Sequence, residues 1–371
     1  MHRIPGAIVS VVPPSAPMAP RAKASATFTV RPGQPIQAAI DRCEPGDRVE
    51  VEPGVYQQSV VVDRDGVTLF GINRQGERPV LEGGGTLNDA VQSSGSDFTV
   101  EGFTIRHYKG NGVLANKARS VAFRDLVLDD TGLYGVYPVE CTGVMVEGCT
   151  VSGVSDAGIY VGSSRDVIVR NNEVFNNVAG IEIENCVGAL VANNSAHHNT
   201  AGLLVFVLPN NPSKEGSDCR VINNRAWANN HDNFGKPGTV VAGLPTGVGI
   251  LVMAADRTEV TQNLLAENDS YGIVVVGLRS AQLSAKYKID VEPNSDQTVI
   301  VGNEYRDNGH KPHKQFSLAP GATGGDLFWD GSGKDNTWRE NPSLKAYPKT
   351  LLRPAGAAPA STQTSSTGGS S

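Results

Sequence analysis

The sequence of 371 residues has few aromatic side chains and no long apolar run. Aromatic residues make up 6% of the chain while 42 residues are glycine, which favours many tight turns and small, stacked interior residues. No apolar run reaches 18 residues, so the sequence predicts no membrane-spanning helix. Basic residues are not in excess either. The net charge is −6, whereas a nucleic-acid-binding protein is expected to carry a basic patch, so we predict no nucleic-acid partner.

Motifs for metal or redox chemistry are also missing. The five cysteines form no C-x-x-C pair, and no two histidines have clear metal-ligand spacing. The sequence therefore predicts no metal site and identifies no cofactor, although it leaves open whether an ion such as calcium is bound.

A repeat of 22 to 23 residues dominates what is present. A glycine recurs at Gly112, Gly135, Gly158, Gly180 and Gly202, and the pattern resumes at Gly249 and Gly272. Each glycine is followed by an alternating apolar run, as strands with one buried face show. Two asparagine series follow the same period: Asn172, Asn194, Asn224, Asn263 and Asn303, and, five residues later, Asn177, Asn199, Asn229, Asn268 and Asn308. Stacked at equivalent positions, they are expected to form amide ladders.

This period predicts an all-β fold, a right-handed parallel β-helix. Repeats so short leave no room for a crossover helix, and parallel crossovers are right-handed in almost all cases. We expect a single-stranded solenoid of about ten coils at ~4.8 Å per coil. The helical periodicity of Pro35–Cys43 predicts a helix that caps its N-terminal end. Cys141 and Cys186 lie two repeats apart, too far for a disulfide, and are expected to be interior residues.

The chain divides into four predicted segments. Residues 1–26 are a leader or signal-like segment, 27–309 the β-helix, 310–348 a C-terminal cap, and 349–371 a disordered tail. The alternative for the first segment is a Pro/Ala-rich disordered leader. Insertions at Leu208–Asp218, Asn230–Gly247 and Arg279–Asp296 interrupt the repeat, and we expect them to project as loops on a binding face.

Strand alternation places one group of polar and aromatic side chains on the outside. The second residue after each repeat glycine is expected to point to solvent. The predicted catalytic residues are Asp156, Tyr160, Glu182 and Glu184, and the predicted substrate-binding residues are Tyr137, Phe206, Asn185 and His231. Aromatic faces beside carboxylates suit sugar rings. Glu182 and Glu184 lie about 7 Å apart along one strand, as the carboxyl groups of an inverting glycosidase do. Solvated surface carboxylates are the alternative interpretation.

Three segments of the repeat carry a resemblance to a known family. D-A-G-I-Y-V-G-S-S, N-V-A-G-I-E-I-E-N and A-G-L-L-V-F-V-L-P-N-N-P resemble an uncharacterised exported branch of the bacterial right-handed parallel β-helix repeat proteins, which are related to periplasmic copper-binding accessory proteins and to carbohydrate-active β-helix proteins. The resemblance covers about Phe28–Trp338 and implies the fold and a periplasmic or secreted location, without an established activity. The D-P-H-D of epimerases and the G-H-G of polygalacturonases are absent.

Two functions remain open from the sequence. One is an exported carbohydrate-active protein, a polysaccharide lyase, C5-epimerase or hydrolase, that acts on a polysaccharide or oligosaccharide in a surface groove. The other is a non-catalytic periplasmic accessory or glycan- or protein-binding module. We expect a monomer in either case.

Overall fold

Three long sheets of parallel strands wind around one core. The computed structural model describes residues 26–281 and 288–352, so nearly all of the predicted leader and most of the predicted tail lie outside the described residues. The first sheet has twelve strands, the second eleven and the third ten. Successive coils pair in parallel, for example Arg165–Arg170 with Val187–Ala192. The predicted right-handed parallel β-helix is confirmed.

The strands follow each other in a fixed order, from the first sheet to the third and then to the second. The first sheet contains Thr27–Val30, Arg48–Val51, Thr68–Gly71, Thr99–Glu101, Arg119–Arg124, Thr142–Glu147, Arg165–Arg170, Val187–Ala192, Arg220–Ile222, Glu259–Thr261, Val299–Val301 and Thr337–Arg339. The second contains Val60–Val62, Val91–Ser93, Val113–Asn116, Tyr134–Val139, Ala157–Gly162, Ala179–Glu184, Ala201–Phe206, Val248–Met253, Tyr271–Val276, Gly325–Trp329 and Ala346–Tyr347. The third contains Gly54–Tyr56, Pro79–Glu82, Thr104–Arg106, Val127–Asp129, Thr150–Ser152, Glu173–Phe175, Ser195–His197, Arg225–Trp227, Leu264–Ala266 and Glu304–Arg306.

Both predicted asparagine ladders are present at the corners between strands. In the second ladder, the Oδ1 of Asn199 accepts from the main-chain N–H of Asn177 at 3.0 Å and from its Nδ2 at 3.1 Å. The Nδ2 of Asn177 also donates to the carbonyl of Val151. The contact repeats from coil to coil, so each ladder satisfies buried amides that would otherwise cost free energy.

The repeat glycines are required by close approach between coils. A Cβ on Gly180 would lie 2.5 Å from the carbonyl oxygen of Gly202, and one on Gly202 would lie 2.4 Å from that of Gly249. Because real Cβ atoms do not approach an oxygen so closely, a larger residue would push the coils apart.

All five cysteines are free and buried, as expected for interior residues. The predicted N-terminal helix is present as Ile36–Ile40, with Ile36, Ala39 and Ile40 buried, and it contacts the strands Thr27–Val30 and Val60–Val62. Its role as a cap stays a prediction. Short 3₁₀ helices span Val241–Gly243 and Lys314–Leu318.

The domain boundaries stay predictions as well. The predicted cap, 310–348, contributes strands to two of the sheets, and its carboxylates end both ladders. Glu340 accepts from Asn303, and Asp326 accepts from Asn308. Among the described residues, no helix is long and apolar enough to cross a membrane.

Candidate functional site

The register of the second sheet brings most of the predicted site residues together. Tyr160 pairs with Glu182, which in turn lies beside Leu204 in the next coil. Glu184 pairs with Phe206 in the same way. Tyr137 lies one coil before Tyr160, and their rings are 5.0 Å apart. The predicted neighbours on the outer face of this sheet are therefore neighbours in the structure.

The predicted exposure of this face is wrong. Tyr160 is 8% exposed, Glu182 2%, Glu184 8% and Phe206 5%, and Asp156 is also buried. Strands such as Ala179–Glu184 are buried along their whole length, with no alternation between buried and exposed residues. Alternation determines only that these side chains point away from the core. It does not show what packs against them. Here Asn211 of the first insertion contacts Glu184, and Lys236 of the second insertion lies close enough to Asp156 to act on its charge.

The first insertion is held onto the sheet by Asn185. The Oδ1 of Asn185 accepts from the main-chain N–H of Leu208 at 2.9 Å, and its Nδ2 donates to the carbonyls of Leu208 at 2.9 Å and Ser213 at 2.7 Å. Lys214 then forms an ion pair with Asp290 of the third insertion at 2.6 Å. Asn185 is thus an anchor of the loop, and its predicted contact with substrate stays untested.

His231 lies in the second insertion and is exposed. Its ring makes an edge contact with Phe234, with centroids 5.1 Å apart. Phe234 and Val240 on the same loop are large apolar residues that remain exposed. The predicted binding role of His231 stays a prediction, but the loop offers apolar surface beside the site.

Three tyrosines and three carboxyl groups meet beneath these loops. We call this group the tyrosine–carboxylate cluster, and it comprises Tyr134, Tyr137, Tyr160, Asp156, Glu182 and Glu184. The Tyr134 ring lies 4.4 Å from that of Tyr137 and 4.9 Å from that of Tyr160. The sequence prediction missed Tyr134. A signal was available, because the equivalent positions in the next three coils are all alanine.

Burial shifts the titration of the three carboxyl groups. It raises the pKa of Asp156 to about 7, although a hydrogen bond from Tyr134 acts in the opposite direction. Burial, followed by the negative charges of Asp156 and Glu184, raises the pKa of Glu182 well above its usual value. The pKa of Glu184 is also raised by burial, while hydrogen bonds from Asn211 and Tyr160 favour its charged form. The surroundings of the cluster therefore favour the protonated form of its carboxyl groups more than water does.

Two oxygen atoms of the cluster lack a hydrogen-bond partner within the described part of the chain. They are Oδ1 of Asp156 and Oε1 of Glu182. A buried polar atom without a partner costs about 1–3 kcal/mol, so natural folds retain few of them. Such atoms can serve a ligand, because a protonated carboxyl group donates a proton and an ionised one accepts.

The described residues give no indication of a resident metal. Across 26–281 and 288–352, no group of three His, Cys, Asp or Glu side chains is arranged to hold a metal ion. Two surface cavities of about 540 and 520 Å³ lie elsewhere, the second beside Arg165 and Lys214 at the edge of the first insertion.

Residues 89–235 match the family model for a right-handed β-helix region. This match and the three sheets confirm the resemblance to right-handed parallel β-helix repeat proteins; the relation to copper-binding accessory proteins stays untested. A search of curated proteins gave no significant match.

Three solved structures with a similar fold are named as carbohydrate-active enzymes. An alginate lyase from a Paenibacillus species is 15% identical with a TM-score of 0.59, covering 78% of this chain and 98% of its own. The A-module of a mannuronan C-5 epimerase from Azotobacter vinelandii is 16% identical with a TM-score of 0.56, covering 82% and 91%. A lacto-N-biosidase from Eubacterium ramulus is 12% identical with a TM-score of 0.56, covering 85% and 67%. At these identities the likeness establishes the fold alone.

Proposed function

We propose that this chain is an exported carbohydrate-active protein whose acid–base site is the tyrosine–carboxylate cluster. The observation that carries the proposal is the pair of buried oxygen atoms without partners, on Asp156 and Glu182. The solenoid does not require an acid at the position of Glu182, because Leu204 and Leu251 occupy it in the following coils. Structural neighbours that act on glycans support the same class of ligand.

Hydrolysis of a glycosidic bond suits the two glutamates best. Glu182, without a partner for Oε1, is the proton-bearing member and acts as general acid. Glu184, which accepts from Tyr160 and Asn211, more readily keeps a negative charge and acts as base. Alternate residues of a strand are about 7 Å apart, and carboxyl groups that keep this spacing leave room for a water molecule, as inverting hydrolysis needs.

A lyase or epimerase acting on a uronan fits this charge pattern less well. Such an enzyme must neutralise the carboxylate of its substrate with a cation. The positive charge that acts on Asp156 is that of Lys236. Other basic residues of this region are already paired, Lys214 with Asp290 and Arg257 with Asp218. We therefore place hydrolysis ahead of elimination or epimerisation.

Substrate access requires movement of the loops. Tyr134 and Tyr137 are only half-buried, so solvent reaches the cluster from their side. The deeper carboxyl groups become accessible if the insertions at 208–218 and 230–247 open. The apolar surface of Phe234 is already exposed and offers a contact to a sugar ring.

A non-catalytic binding module is the second candidate, and the burial of the carboxyl groups favours it. Asp156, Glu182 and Glu184 are at most 8% exposed, so a glycan bound to the closed form contacts the tyrosines and the loops only. Both candidates include export, for which fractionation of the producing cells is the test. Recovery of the chain in the cytoplasm would exclude it.

A glycan panel separates the two candidates. The purified protein is incubated with neutral and acidic polysaccharides, and new reducing ends and the absorbance of unsaturated uronates are measured. We expect new reducing ends from a neutral glycan, and a loss of about 10²–10⁴-fold in turnover for Glu182→Gln.

Glu147→Gln is the matched control, because Glu147 lies on the outer face of the first sheet and pairs with Arg170. It should retain full turnover. Glycan binding without cleavage by the wild-type protein would favour the binding module. Unchanged turnover in Glu182→Gln would remove the cluster as the site.

A further inference from the structure

The first insertion contributes a side chain to the cluster that the repeat itself does not supply. Asn211 lies near the start of this loop, and its Nδ2 donates to Oε1 of Glu184. The same nitrogen lies 3.0 Å from Oδ1 of Asn185, which holds the loop against the sheet. The contact between Asn211 and Glu184 therefore forms only when the loop lies against the sheet.

Glu182 and Glu184 differ in what surrounds them, although they lie on one strand and share one face. Glu184 receives two donors, from Asn211 and from the hydroxyl of Tyr160. Glu182 has no partner for Oε1 within the described residues. Donors to a carboxylate favour its charged form, whereas burial without donors favours the neutral acid. A pair of carboxyl groups in unlike surroundings can divide into an acid and a base.

We propose that Asn211 is a positioning residue that keeps Glu184 the charged member of the glutamate pair and so leaves Glu182 as the acid. The proposal rests on the proposed function of the cluster. It also makes the loop part of the chemistry, because the donor is in place only when 208–218 lies against the sheet.

Apart from Tyr160, the other groups around Glu184 do not supply this asymmetry. Asp156 and Glu182 are carboxyl groups, which oppose a charge on Glu184 when they are ionised, and the hydroxyls of Tyr134 and Tyr137 are also close enough to interact with it. Lys236 of the second insertion acts on Asp156. Within the first insertion, Lys214 and Glu215 are directed to Asp290 and Arg165 at 2.6 and 3.6 Å. The neutral amide of Asn211 is thus the loop's direct contribution to Glu184.

The test is a titration of Glu184 that does not depend on activity. The full chain is labelled with glutamate carrying ¹³C at the side-chain carboxyl carbon, and Glu184→Gln assigns the resonance by its loss. Replacing Asn211 with leucine removes the donor, so the midpoint of Glu184 should move up by about one pH unit, as expected for one hydrogen bond to a charged group. Tyr160→Phe removes the other donor from a rigid strand and should also raise the midpoint.

Lys214→Met is the control for loosening of the loop, because it removes the ion pair to Asp290 and leaves the donors of Glu184 in place. It should leave the midpoint unchanged. An equal shift in Lys214→Met and Asn211→Leu, or no shift in Asn211→Leu, would overturn the proposal.

Where the panel yields a substrate, the acidic limb of the pH–rate profile should move up by the same amount in Asn211→Leu. A shifted midpoint in a protein that cleaves no glycan would contradict the proposed function and leave the role of Asn211 in the charge of Glu184 standing.

Discussion

Two groups of buried polar side chains occupy the same coils, and the fold treats them differently. In the asparagine ladders, the Oδ1 of Asn194 accepts from Asn172 at 2.9 Å, and the Nδ2 of Asn194 donates to a backbone carbonyl and to Asn224. In the tyrosine–carboxylate cluster, Asp156 and Glu182 each keep an oxygen without a partner in the described chain. These asparagines and the carboxyl groups of the cluster are almost fully buried.

The difference follows from the chemistry of the two side chains. An amide has both a donor and an acceptor, so identical amides stacked at ~4.8 Å satisfy each other indefinitely. Ionised carboxyl groups only accept, and stacked ones repel. A ladder is therefore a product of the repeat, whereas a buried acid cluster works against it. That contrast is the reason for placing the site at the cluster and not at the more numerous asparagines.

Removing one rung of a ladder should have the largest effect on stability. Asn199→Leu would deprive Asn177 of its acceptor and leave the carbonyl of Val174 and the Oδ1 of Asn229 short of a donor. We expect the free energy of unfolding to fall by roughly 4–6 kcal/mol, since each unsatisfied buried group costs about 1–3 kcal/mol. Urea unfolding measures the change.

The control is Asn193→Gly in the same coil. Asn193 is exposed and has a φ of 57°, which glycine adopts without strain, so this variant should change stability little. A loss in Asn199→Leu no greater than that of the control would show that the ladders do not stabilise the coil.

The contribution of the cluster to the free energy of unfolding should depend on pH in the opposite sense from that of an acid stabilised by an ion pair. The pKa of Asp156 is raised from 3.8 to about 7, so the folded form binds more protons than the unfolded form between these values. Its contribution to stability is present below pH ~4 and is lost as the pH rises through about 7. Asp156→Asn should therefore match the wild-type protein at pH ~4 and exceed it by roughly 4 kcal/mol at pH ~8.

Urea unfolding at both pH values tests this, with the exposed Asp130→Asn as control. The control should show no comparable gain at high pH. The opposite result is a wild-type protein that becomes more stable than Asp156→Asn as the pH rises. It would mean that the fold stabilises Asp156 as a carboxylate, as it does an ordinary ion-pairing acid.

The sequence predicts the repeat better than it predicts the surface. Glycine spacing and the asparagine series identify the fold and both ladders, because each coil repeats the same contacts. Alternation also assigns Glu182 and Tyr160 correctly to the outer face of the second sheet. It fails on their exposure, since the loops at 208–218 and 230–247 do not repeat and nothing in the period states where they fold back.

The same limit explains the residues that were missed. Asn211 reaches Glu184 from a loop. This contact depends on the hydrogen bonds by which Asn185 holds the loop against the sheet, and Asn185 lies 26 positions before Asn211 in the sequence. Tyr134 lies before the repeat glycine, a position that the alternation does not assign to the outer column. Periodic reasoning finds what recurs, and a functional site is made of the residues that do not.

The smallest change in stability should come from replacing Glu182 with the leucine that the following coils have at the same position. This variant also separates the cluster from the ladders most clearly. Glu182→Leu repeats the side chains of Leu204 and Leu251 and removes an acceptor without a partner. Burial and the charges of Asp156 and Glu184 raise the pKa of Glu182 and so favour its neutral form, and measurement at pH ~5 keeps the cost of burying a charge small. We expect the free energy of unfolding to rise by about 2 kcal/mol in urea, together with loss of glycan cleavage. Glu182→Gln, which keeps a polar group of the same size, should gain less.

A ladder variant that loses stability beside a cluster variant that gains it would show that the fold needs its asparagines and only tolerates its acids. A destabilised Glu182→Leu would instead make Glu182 a structural residue and remove the main reason for placing chemistry there.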